Sequence, residues 1–137
     1  MTHKALAGLD GMVGEWRVES PQFPGAEGRS VIEWLDGAFL KISDHAPEPA
    51  PRGTWIIGGD ETTEDIAVLY HDSRDVSRVY RMRVDGTSWR IERDAPGFFQ
   101  RFSATLDGNT IRGTWEKSTD GASWDLDFDL LYHRIER

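Results

Sequence analysis

The chain has 137 residues, 38% of them hydrophobic and 29% charged, with a net charge of −8 and no cysteine. That length is expected to form one domain, 1–137, around one core, and no apolar run approaches the ~18 residues a bilayer span needs. The missing thiols exclude disulfides and thiolate metal sites, and the acidic balance argues against nucleic acid and anionic membranes as partners, because both are held by cations.

In chain order, Met1–Leu6 lacks the apolar core of a signal peptide, so a cytoplasmic protein is expected. Lys4 to Leu9 is a short apolar segment, expected as a helical turn that plugs one end of the strand assembly. Gly14 to Glu19 alternates, with Trp16 and Val18 on one face and charges on the other. This is the period of an extended strand. Ser20 to Gly25 holds two prolines in four residues and reads as a loop. Arg29–Leu35 and Phe39–Asp44 flank Asp36-Gly37, a strong hairpin signal because tight hairpin turns need positive φ. The proline-rich run His45–Pro51 excludes a ladder strand there.

Thr54–Gly58 gives a fourth strand, Ile66 to Tyr70 a fifth and Val76–Val84 a sixth. Asp85-Gly86 leads to Trp89–Arg93, Ala95-Pro96-Gly97 to Phe98–Leu106, and Asp107-Gly108-Asn109 to Ile111–Lys117. Asp120-Gly121 precedes the last run, where Trp124, Leu126, Phe128 and Leu130 alternate with aspartates. That alternation places Trp124, Leu126, Phe128, Leu130 and Tyr132 on one inner face. Ten strands on short turns predict an up-and-down antiparallel meander. Closure of the meander into a barrel removes both exposed edges. A barrel of about ten strands is expected to enclose a cavity.

Charge is uneven. Residues 74–101 carry seven arginines against four acids, a local +3 that leaves the remainder at −11. Strand parity places Arg78 and Tyr80, Arg93, Gln100 and Tyr132 inside, where buried guanidinium groups require an anion or acceptor. Internal acids, Asp44 or Asp72, are one source of that acceptor. The other is a ligand carboxylate or similar head group, with Trp34, Trp55, Trp89, Trp115 and Phe128 as apolar walls. No catalytic triad, phosphate loop or zinc pattern is present. No catalytic residue is assigned, and no metal site or cofactor is expected. An isomerase or cyclase would need Asp72 beside Tyr70 as a proton-transfer pair.

Gly14-Glu15-Trp16 at the first strand resembles the Gly-x-Trp signature of lipocalins and their calycin relatives. Arg134 near the end of the last strand matches the arginine that packs across that tryptophan. The strand count is closer to fatty-acid-binding proteins and nitrobindins, and the whole chain resembles bacterial lipocalin-like domains of unknown function. The resemblance implies structural roles for Gly14, Trp16 and Arg134 in barrel closure. With the inward arginines, the expected function is binding of a small hydrophobic molecule with an anionic or polar head, by a monomer or homodimer. The nitrobindin likeness adds haem as an alternative. His133 is the only histidine on the last strand, but parity turns it outward unless a bulge at Leu130-Leu131 inverts the strand.

Overall fold

The computed structural model describes residues 4–136. A 3₁₀ helix, Lys4–Met12, precedes ten strands. The first five are β1 (Gly14–Glu19), β2 (Gly28–Leu35), β3 (Phe39–His45), β4 (Gly53–Gly59) and β5 (Ile66–Asp72). The second five are β6 (Ser77–Asp85), β7 (Ser88–Ala95), β8 (Phe98–Asp107), β9 (Thr110–Ser118) and β10 (Asp125–Glu136). Each strand pairs antiparallel with its neighbours in the chain, and β10 returns to pair with β1, so the sheet is a closed barrel. Both halves of the expectation, barrel and N-terminal helical plug, hold.

The plug follows from helix geometry. A 3₁₀ helix repeats every three residues, so Leu6, Leu9 and Met12 fall on one face. All three are buried in the barrel core. At the same end, Asp36 and Gly37 both have positive φ (55° and 68°), as the tight turn closed by the Ala38 N–H on the Leu35 carbonyl requires.

Trp16 is fully buried on β1 and its indole nitrogen donates to the Met12 carbonyl at 2.9 Å. Arg134 is its cross-strand partner on β10. The guanidinium lies 4.2 Å from the Trp16 ring centroid and donates to the carbonyls of Val13 and Gly11, both at 2.7 Å. A third bond reaches Asn109 Oδ1 at 2.9 Å. The arginine thus ties the last strand, the first strand and the plug together.

One expectation fails. The register of β10 against β9 shifts between Leu126 and Phe128. Phe128 sits opposite inward Trp115, but Leu126 sits opposite Glu116, an outer-face residue bonded to Arg101. Leu126 is accordingly 53% exposed. Trp124 is also outside, with the Arg101 guanidinium 4.0 Å from its ring centroid. A bulge adds one residue to one strand and reverses the parity of everything before it. The alternation of sequence runs straight through the bulge; the alternation of faces does not. No register shift occurs at Leu130-Leu131.

Candidate ligand-binding site

Two groups of polar side chains enter the barrel from opposite walls. The first comes from β6, β7 and β8, at the end of the barrel away from the plug. Tyr80 and Gln100 are buried. Gln100 Oε1 accepts from the Tyr80 hydroxyl at 3.0 Å and from Arg78 Nη1 at 3.4 Å. Arg93 is the cross-strand partner of Gln100. Arg78 also lies over Phe98, 5.6 Å from its centroid. Among the described residues, neither half-buried arginine has a carboxylate partner, and Arg93 has no side-chain hydrogen bond or ion pair. Burial pushes the Tyr80 hydroxyl pKa up, so Tyr80 stays a protonated donor.

The internal acids do not answer these arginines. Asp72, buried at the end of β5, is held by Arg74 Nη2 at 2.6 Å and by the Tyr70 hydroxyl at 2.5 Å. Arg74 lowers the Asp72 pKa far below the ordinary carboxylate range, while burial and then the Asp72 bond raise that of Tyr70. An aspartate so firmly ionised is a weak base, and its phenol partner a weak acid. That leaves the proton-transfer pair poorly matched to chemistry near neutral pH.

The second group comes from β2, β3, β4 and β10. Asp44 accepts from Ser30 Oγ at 2.8 Å and from Trp55 Nε1 at 2.9 Å. Burial raises its pKa. Burial also raises that of Tyr132, with the Asp44 charge as the second cause. Asp44 and Tyr132 line a lumen cavity of about 70 Å³, walled by Ile57, Trp89, Ile91, Phe102 and Trp115 among others.

The cavity is far smaller than the several hundred Å³ usual for a ligand pocket. Aromatic rings occupy the space that the strand count predicted would be open. Trp55 packs on Tyr70, Tyr80 and Trp115 at centroid distances of 4.4, 5.3 and 6.0 Å, and Trp115 on Phe102 at 4.9 Å. The cavity therefore takes in Tyr132, Trp89 and Trp115, but Arg78, Tyr80, Arg93 and Gln100 are not among its walls. Trp34 is not a cavity wall either; its indole nitrogen donates to Asp10 on the plug at 2.9 Å. Phe128 packs edge-on against Phe23 of the β1–β2 loop, 5.9 Å away. Sequence parity singled out most of these residues. It missed Ser30, whose small hydroxyl in an apolar alternation gave no signal without its partner Asp44.

A larger depression of about 540 Å³ lies over the outer faces of β3–β5, lined by Lys41, His45, Arg52 and His71 among others. It is a broad open surface, whereas removal of a ligand from water calls for enclosure. His133 faces outward, as its parity requires, with Nε2 3.4 Å from Glu19 Oε1. His45 and His71 are exposed on the outer wall as well. With a 70 Å³ lumen and every described histidine outside it, these residues do not fit a haem in the barrel.

No protein-family model matches the chain, and no curated protein matches it. Among solved structures it is similar to Rv2717c from M. tuberculosis, with a TM-score of 0.67 over 98% of this chain and 99% of that one, at 14% identity. The similarity is one of fold.

Proposed function

We propose that the chain is a calycin-like barrel that binds a small amphipathic molecule, with the anionic head group seated on Arg78 and Arg93. The observation that carries this reading is the pair of half-buried guanidinium groups with no carboxylate beside them among the described residues. Desolvated cations in that state are costly, and a ligand anion offsets the cost. Gln100 and Tyr80 hold the floor of the seat, and the Trp55–Tyr80–Trp115 ring cluster supplies an apolar surface beneath it. A short apolar body suits this arrangement better than a long acyl chain, which would have to displace the cluster.

The test is titration with the fluorescent anion 8-anilinonaphthalene-1-sulfonate and competition by short-chain carboxylates. Arg93→Ala is expected to weaken binding about tenfold, the loss of one charge-assisted contact. Unchanged affinity in both Arg78→Ala and Arg93→Ala defeats the anion seat. Mass spectrometry of molecules that co-purify under native conditions identifies the head group directly.

A further inference from the structure

We infer that the lumen cavity at Asp44 and Tyr132 is a second site, separate from the arginine seat, and that it takes a compact organic ammonium ion. Asp44 lines this cavity, and the open depression over β3–β5 as well, and receives two neutral donors, Ser30 Oγ and Trp55 Nε1. It has no ion pair among the described residues, and His45, its neighbour in the chain, is exposed on the outer wall. A half-buried carboxylate whose hydrogen-bond donors are both neutral is the counterpart of the arginine seat: it favours a guest of opposite charge.

The walls point the same way. Trp55, Trp89, Phe102, Trp115 and Tyr132 line the same cavity as the carboxylate, and Trp55 bonds to it. Aromatic faces carry the negative end of a quadrupole, and rings gathered about an acid are the recognised means of holding alkylammonium groups. The Tyr132 hydroxyl, kept protonated by burial and by Asp44, adds a lone pair and no competing charge. Size sets the upper limit. At roughly 10–15 Å³ of such space per water-sized group, the cavity admits about five, which fits methylammonium to tetramethylammonium and excludes a long chain. An anion is disfavoured because it would be placed against Asp44.

Calorimetric titration of the full chain with tetramethylammonium chloride tests this, with tert-butanol as a neutral probe of similar bulk. The ammonium ion is expected to bind saturably and about tenfold more tightly than the alcohol. Asp44→Asn is expected to abolish that preference, because the amide retains a donor–acceptor pair for Ser30 and Trp55 without the charge. Binding of the sulfonate at Arg93 is expected to survive the same substitution, so loss of either site is read independently of the other. Absence of saturable ammonium binding, equal affinity for both probes, or a preference that persists in Asp44→Asn overturns the inference. If Asp44→Asn does not fold, the comparison of the two probes on the unsubstituted chain decides alone.

Discussion

Arg134 covers the face of Trp16 at 4.2 Å while two of its guanidinium nitrogens bond to backbone carbonyls of Val13 and Gly11. One side chain thus satisfies the end of the plug, the start of β1 and the seam of the barrel. Charge-assisted bonds to carbonyls are worth more than neutral ones, and the ring contact adds to them. Arg134→Ala is expected to cost about 2–4 kcal/mol in urea unfolding. Arg134→Lys should recover less than half of this, since an ammonium cannot fork between two carbonyls while lying flat on the indole.

Gly113 on β9 lies under the ring of Phe102. A Cβ at Gly113 would fall inside the van der Waals envelope of the Phe102 ring. Gly113→Ala is expected to destabilise the barrel by about 1–3 kcal/mol through overpacking. Phe102→Leu in the same chain should relieve much of it. A double-mutant cycle measures this coupling; strict additivity would show that the ring escapes freely.

Asp72 and Asp44 impose opposite pH dependences. The Asp72 pKa is depressed by Arg74 and Tyr70, so its contribution is complete above the ordinary aspartate value of about 3.9 and is lost as pH falls below it. The Asp44 pKa is raised by burial, so the folded chain binds its proton more tightly than the unfolded chain does. Its contribution is complete at low pH and lost as pH rises through the folded value. Stability profiles between about pH 3 and 7 should therefore flatten at the acid end in Asp72→Asn, and above the ordinary aspartate value in Asp44→Asn. At neutral pH, Asp72→Asn is expected to lower stability by about 1–3 kcal/mol. Asp44→Asn is expected to preserve or increase it.

Trp124 offers a test of the bulge. An outer-face indole stacked on Arg101 contributes roughly 0.5–1 kcal/mol, whereas an indole in the lumen costs about 3–5 kcal/mol when truncated. Trp124→Ala is expected to fall at the lower figure, and iodide should quench its fluorescence more readily than that of Trp16.

The strands, the closure and the inward parity of β6, β7 and β8 were legible because a period of two is a local property. Arg78, Tyr80, Arg93 and Gln100 each face inward on that basis alone, paired with Tyr70, Val68 and one another across the sheet. The orientation of Trp124 was not legible. The bulge at Leu126-Asp127 is fixed by how β10 meets β9, and Trp-Asp-Leu-Asp-Phe alternates identically on either side of it. Cavity size was hidden for a different reason. Strand number sets the girth of the tube, but how far Trp55, Trp115 and Tyr80 lean across it is a matter of rotamers and mutual stacking. Asp44 was visible as an inward acid. Its lack of a cation among the described residues was not, because Asp72 drew its arginine from the adjoining turn and not from the lumen.

The bond from Arg134 to Gly11 spans 123 positions of the chain. A contact of that sequence separation closes a loop of nearly the whole chain, and its entropy must be met before its bonds form. The meander can assemble hairpin by hairpin, each from near neighbours, and leave the β1–β10 seam until last. Substitutions along that seam should then hasten unfolding while leaving the refolding rate nearly unchanged. How long a folded molecule persists would be governed by its most distant contact, and how quickly it forms by its nearest.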